Sequence, residues 1–122
     1  MEMRLELVPV VSTDIDRSKA FYADQVGFHL DHDVEPGNGM RIVQLTPPGS
    51  SCSIVFGRGM SEPDAAPVKN LHLVVDDLDA VRAALVARQV DVSGVTDMGG
   101  GVRYAFFSDP DGNSWALQEL SR

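Results

Sequence analysis

Cysteine is almost missing from this 122-residue chain: Cys52 stands alone, so no disulfide forms within it, and the composition suits a reducing compartment, the cytoplasm. Basic residues are scarce, with 10 Lys and Arg against 18 Asp and Glu. The formal net charge of −8 speaks against a nucleic-acid backbone or an anionic membrane surface as partner. No apolar run approaches the roughly 20 residues a membrane span needs. The N-terminal Met1-Glu-Met-Arg-Leu-Glu-Leu alternates charged and apolar groups, unlike the basic-then-apolar order of a signal peptide. There is no Gly-x-Ser-x-Gly elbow, and Gly99-Gly-Gly101 lacks the strand–loop–helix context of a phosphate loop, so it reads as a hairpin connection. What remains is 43% hydrophobic and only 7% aromatic. A chain of this length buries roughly two-thirds of its unfolded surface and folds as one domain without a staple.

Sliding the sequence against itself reveals a duplication. At an offset of 63, Val11 meets Val74, Asp14 meets Asp77, Asp16 meets Asp79, Ala20 meets Ala83, Pro47 meets Pro110 and Gly49 meets Gly112. Each half carries the same signals in the same order. Leu5–Val11 and Leu71–Val75 read as strands. Asp14, and Asp76 with Asp77, offer helix caps, and Asp16 and Asp79 favour the positive end of the helix dipole. Ile15, Ser18, Tyr22 and Val26 recur at helical spacing up to Gly27, as do Leu78, Val81 and Leu85 on a helix running out near Gln89. Strand-like segments follow at Phe28–Val34, Arg41–Leu45 and Cys52–Phe56, then at Asp91–Val95, Arg103–Phe107 and Trp115–Glu119. Thr46-Pro-Pro-Gly49 and Asp109-Pro-Asp-Gly112 are the matching turns, and a turn also accounts for the latter's calcium-loop look. The expected architecture is α+β: module one at 1–56, a linker at 57–68 and module two at 69–122. Each module is βαβββ, and neither buries its sheet face alone, so two curved mixed sheets are expected to form a cleft.

This order, with Pro9-Val-Val-Ser-Thr-Asp-Ile-Asp-Arg-Ser-Lys-Ala-Phe-Tyr22, Val26-Gly-Phe28, Leu71-His-Leu-Val-Val-Asp-Asp77 and Phe107-Ser-Asp-Pro-Asp-Gly-Asn-Ser-Trp115, resembles the vicinal oxygen chelate superfamily over essentially the whole chain. That superfamily includes glyoxalase I, bleomycin- and fosfomycin-resistance proteins and extradiol dioxygenases, so fold alone does not fix activity. Its catalytic members hold a divalent metal with His or Glu on the first and last strand of each module. The matching positions here are Leu7, Ser53, Asn70 and Ala116. Leu and Ala coordinate nothing, and Ser and Asn are poor ligands for a transition metal. Slipping by two residues, which preserves strand faces, brings in His72 and Gln118 beside Pro9 and Val55, and one imidazole with one amide makes no site. No metal and no cofactor are therefore expected.

Leu7, Ser53, Asn70, His72, Ala116 and Gln118 are the candidate ligand-binding residues, with the amides fixing orientation in an apolar pocket. His72 doubles as a candidate acid/base, set against its reading as a packed histidine. His29 and His32 read as surface residues, Cys52 as buried and structural, and Trp115 as core against a helix. The facing of Arg41, Gln44, Arg103 and Tyr104 stays open. The resemblance implies a homodimer and a small-molecule ligand, and the net charge of −8 leads to the expectation of no nucleic acid and no membrane as partner. The reading that follows is a metal-independent binder of the bleomycin-resistance kind, sequestering a cationic antibiotic or metabolite. The alternative is a glyoxalase-like lyase or isomerase working through His72.

Overall fold

A computed structural model describes residues 1–60 and 64–120. The chain forms two compact units, Met1–Ala66 and Pro67–Arg122. In the first, β1 (Leu7–Pro9), α1 (Ile15–Ala20), β2 (His29–Gly37), β3 (Met40–Thr46) and β4 (Ser53–Arg58) build a sheet of order β1-β4-β3-β2. In the second, β5 (Leu71–Val75), α2 (Leu78–Ala87), β6 (Thr96–Gly99), β7 (Val102–Ser108) and β8 (Ser114–Leu120) repeat it as β5-β8-β7-β6. In each unit the first strand runs parallel to the last and all other neighbours are antiparallel. This is the expected duplicated βαβββ arrangement.

Both helices start as the sequence requires. The Asp14 carboxylate accepts the Arg17 backbone N–H at 3.1 Å, and Asp77 accepts that of Ala80 at 3.0 Å, each satisfying an amide the helix itself leaves unpaired. A second carboxylate, Glu119 on β8, takes the Leu78 N–H at 2.7 Å. One face of each sheet lies under its helix. In the first unit Val43, Leu45, Ile54 and Phe56 are buried with Phe21, Tyr22 and Phe28, and the Tyr22 ring stacks on Phe28 at 5.5 Å. In the second unit Ala105, Phe107, Trp115 and Leu117 are buried with Leu78 and Leu85, and Trp115 lies parallel to Phe107 at 6.2 Å. Trp115 is thus core, as its strand parity predicts.

Four expectations need correction. The first helix does not continue as α to Gly27: after Ala20 it widens into a π-helical turn, Phe21–Val26, where the Tyr22 carbonyl accepts the N–H of both Gly27 and Phe28. Gly27 ends it at φ +91°, a left-handed conformation glycine adopts without steric cost. The strand read at Leu5–Val11 shrinks to Leu7–Pro9, the stretch in register with β4. The strand read at 52–56 runs on to Arg58, so its end lies inside the segment read as linker. The strand read at Asp91–Val95 is not one, and regular pairing begins only at Thr96. Arg82 from α2 explains this, because its guanidinium captures the Ser93 carbonyl at 2.7 Å and the Val92 carbonyl at 3.3 Å. The Ser93 hydroxyl, in place of its carbonyl, accepts the Phe106 N–H at 2.9 Å.

Candidate functional site

The face opposite the helix carries the chemistry, and strand parity decides what stands on it. In the second unit β5, β8 and β7 align His72 with Ala116 and Phe106, and Val74 with Gln118 and Tyr104. Alternate residues Arg103, Ala105 and Phe107 point to the helix side. The open face therefore presents His72, Val74, Tyr104, Phe106 and Gln118. Val74 on β5 is 57% exposed and Phe106 on β7 is 42% exposed, an apolar surface left uncovered on this face.

These side chains hold one another. The His72 ring meets Tyr104 edge-on at 5.6 Å, and Tyr104 stacks on Phe106 at 5.7 Å with 7° between the planes. His72 Nδ1 lies 2.7 Å from the Asn70 carbonyl. A carbonyl only accepts, so Nδ1 carries a proton, and in the neutral tautomer this selects Nε2 is the acceptor. Gln118 Nε2 donates to the Tyr104 hydroxyl at 2.8 Å, which leaves the phenolic hydrogen free to be donated. The set offers one acceptor, one donor and an aromatic wall. Asn70 itself sits at the entrance to β5 with φ +60°, its N–H bonded to the Ser114 hydroxyl at 2.8 Å.

In the first unit the open face carries a polar set bonded within itself. Leu7 lies opposite Ser53, and Ser53 bonds the Thr46 hydroxyl at 2.6 Å. Thr46 donates in turn to Asp31, so Ser53 is the donor to Thr46. Asp31 faces His29 Nε2 at 3.7 Å. His29 and His32 are exposed, as the sequence suggests. Cys52 is not buried as expected: it is half-exposed at the turn before β4, its Sγ 3.8 Å from the Ser53 carbonyl.

The six candidate ligand residues therefore separate. His72 and Gln118 share one face with an aromatic pair between them. Asn70 joins them through its backbone while its side chain is exposed. Ser53 is buried in its own network, Ala116 is fully buried, and Leu7 is 39% exposed on the other sheet. The repeat offset also slips within the pairing. Leu7 faces Ser53, but Asn70 precedes Leu71, which faces Trp115, so His72 and not Asn70 lies opposite Ala116. Whichever register is taken, the four metal positions supply no coordinating set. Two have no donor atom, and the Ser53 hydroxyl is bonded within the protein. Among the described residues no three His, Cys, Asp or Glu side chains are grouped as a metal ion requires. The residues present do not fit the metal that the fold family implies.

The two strand arginines, open at the sequence level, turn away from this face. Arg41 bonds both oxygens of Asp33, at 3.0 and 2.9 Å, and reaches Asp16 of α1 at 2.9 Å, while Lys19 reaches Asp33 at 2.8 Å. Arg103 bridges Asp79 of α2 at 3.2 Å and Glu119 at 3.0 Å. Both clamps tie a helix to its sheet by the same pairing. Hydrogen bonds from Arg41 and Lys19 hold the Asp33 carboxyl far below the usual carboxylate range, and Asp33 with Asp16 raises Arg41. The Leu78 N–H and Arg103 lower Glu119, and Asp79 with Glu119 raises Arg103. Gln44 and Tyr104 take the open faces instead. Phe106, which the sequence reading passed over, was marked by its parity: it alternates with buried Ala105 and Phe107 yet is itself apolar.

Two βαβββ units of the same strand order, each a mixed sheet backed by one helix, are the tandem modules of the glyoxalase-type fold. The chain belongs to the glyoxalase/bleomycin resistance protein/dioxygenase superfamily, whose family model matches residues 4–117. Among solved structures it resembles TnmS3, an antibiotic binding protein from Streptomyces sp. CB03234, at a TM-score of 0.85 and 36% identity over 98% of both chains. A glyoxalase/bleomycin resistance protein from the same organism aligns at a TM-score of 0.78 and 37% identity, covering 93% of this chain and 98% of the other. The Escherichia coli (strain K12) protein YaeR is 31% identical over 125 residues, 92% of each chain. No helix among the described residues is long and apolar enough to cross a membrane.

Proposed function

We propose that this protein binds an organic small molecule on the open face of its second unit, without a metal, and sequesters it unchanged. The observation that carries the reading is the uncovered set His72, Tyr104, Phe106 and Gln118: an aromatic wall with one donor and one acceptor. Apolar surface with a few placed polar groups is what fixes a ligand's orientation. The likeness to an antibiotic binding protein supports an antibiotic or related metabolite as ligand. The net charge of −8 favours a cationic one, drawn in over a Debye length. A homodimer in the cytoplasm belongs to the same proposal, the first supported by the free edges of both sheets and tested by light scattering.

A second reading, a lyase or isomerase using His72 as acid/base, draws on the same hydrogen bond, since a proton fixed on Nδ1 leaves Nε2 as a base. Among the described residues no carboxylate orients the ring, which ranks this reading behind binding. A thermal-shift series on metal-stripped protein separates the readings. Divalent metals, cationic glycopeptide antibiotics and α-keto compounds are added separately. A ligand at 100 times Kd adds about 2.7 kcal/mol. With an unfolding entropy of about 2.1 cal/mol/K per residue, that raises the midpoint of this chain by about 10 °C. An organic ligand that shifts the midpoint where metals do not supports binding. A shift by metal alone refutes the metal-free reading, and turnover lost in His72→Ala favours the enzyme.

A further inference from the structure

The end of the second sheet holds a recess that the aromatic set does not use. Asn70, Asp91, Ser93, Phe106, Phe107, Ser108, Ser114 and Trp115 line an open cavity of about 480 Å³. Its polar groups divide into two kinds. The hydroxyls of Ser93 and Ser114 are committed, one to the Phe106 N–H and the Gly94 carbonyl, the other to the Asn70 N–H. The Asp91 carboxylate, the Asn70 side-chain amide and the Ser108 hydroxyl have no hydrogen-bond or ion-pair partner among the described residues. Arg82 of α2, which reaches the segment that carries Asp91, is turned to the carbonyls of Val92 and Ser93. An uncompensated carboxylate, an amide oxygen and a hydroxyl oxygen thus share one cavity with the exposed ring of Phe106.

We infer that this recess is the subsite for a protonated amine, held by Asp91, Asn70 and Ser108, on a ligand whose apolar body lies against Phe106. All three side chains offer acceptor oxygens, the complement of an ammonium's three donors. Phe106 belongs both to the recess and to the Tyr104 stack, so the amine subsite continues the open face. The inference rests on the reading that this face binds a ligand, and adds where the charge goes. The recess lies where the Asp91–Val95 segment meets β7 at Ser93, whose N–H donates to the Phe106 carbonyl at 2.9 Å and whose hydroxyl accepts the Phe106 N–H. The hold of Arg82 on two carbonyls keeps that segment off the regular ladder.

The test uses three probes on the full chain, followed by backbone amide shifts in nitrogen-15 NMR: 2-phenylethylammonium, its neutral counterpart 2-phenylethanol, and 2-naphthol. The ammonium is expected to shift the amides of Asn70, Asp91, Ser93 and Ser108 saturably and to bind there about tenfold more tightly than the alcohol, as one charge-assisted hydrogen bond allows. Asp91→Asn should remove that advantage and leave 2-phenylethanol unchanged. Ser108→Ala, a milder change on a strand end, should weaken the ammonium alone. Equal binding of ammonium and alcohol, an unaltered ammonium affinity in Asp91→Asn, or shifts confined to other residues overturns the inference. 2-Naphthol reads the aromatic set separately through Tyr104 and Gln118. If it fails to bind while the ammonium binds and depends on Asp91, the amine subsite stands and the wider open-face reading falls.

Discussion

Replacing Asn113 by Ala removes the residue that fastens the turn between β7 and β8 to the start of the second unit. Asn113 is fully buried. Its Nδ2 donates to Asp109 Oδ2 at 2.7 Å, and its Oδ1 accepts the Val68 N–H at 3.0 Å. Asp109, itself 5% exposed, also takes the backbone N–H of Asp111 and of Asn113, both at 2.9 Å. The first lost bond is to a charged group and is worth about 1.5–3 kcal/mol, and stranding the Val68 N–H adds about 1 kcal/mol. A total of about 3 kcal/mol over an unfolding entropy of about 2.1 cal/mol/K per residue lowers the melting midpoint by about 12 °C. Calorimetry measures it, and hydrogen exchange should show the Val68 amide opening faster than the amides of β3 in the first unit. Asn113→Asp keeps the acceptor for Val68 but sets a carboxylate against Asp109, so it should destabilise at least as much. The consequence reaches the site, because Ser114 bonds the Val68 carbonyl through its N–H and the Asn70 N–H through its hydroxyl. A midpoint within about 3 °C of wild type, equivalent to less than about 1 kcal/mol, refutes the claim that this network sets the geometry.

Asp33 has its carboxyl held below the ordinary range by Arg41 and Lys19, so its contribution to stability is complete above about pH 4 and is lost as pH falls. Asp33→Asn should flatten the acid limb of a stability-versus-pH curve from urea unfolding; an unchanged slope would show that the clamp adds nothing. Glu119, lowered by the Leu78 N–H and Arg103, acts in the same direction, so Glu119→Gln should flatten what remains. Tyr104→Phe keeps the stack on Phe106 and deletes the hydroxyl that holds Gln118. Calorimetric titration with whichever organic ligand raises the wild-type midpoint should find affinity lowered about five- to tenfold with the midpoint nearly unmoved, and unaltered affinity would remove the hydroxyl from the site.

The fold was legible because two independent signals agreed at each step. The offset that carries Asp14 to Asp77 also carries a capping role, and both carboxylates do cap. Two of the local failures lie where hydrogen bonding departs from the regular pattern, which alternation does not encode. Arg82 takes the carbonyls of Val92 and Ser93 and unmakes an expected strand. Tyr22 holds two amides and turns α into π. The site was half-legible for a related reason. Parity on β5 and β8 placed His72 and Gln118 together, but β7 carries aromatic residues on both faces, so its facing needed the register with β8 to be known.

The two-residue slip bears directly on function. A parallel first-to-last strand pair is fixed by its register, and here the two units differ: Leu7 faces Ser53, whereas Asn70 falls short of Ala116 by two. A repeat that keeps its helices and turns at one offset while its first-to-last strand register shifts by two is not held to the requirement that ligand positions stay equivalent in the two units. Metal coordination imposes that requirement, since bond lengths hold ligands to within tenths of an ångström. Binding an organic ligand on an aromatic face does not. Donor-less Leu7 and Ala116 and the difference in register are two separate departures from a ligand set repeated in both units.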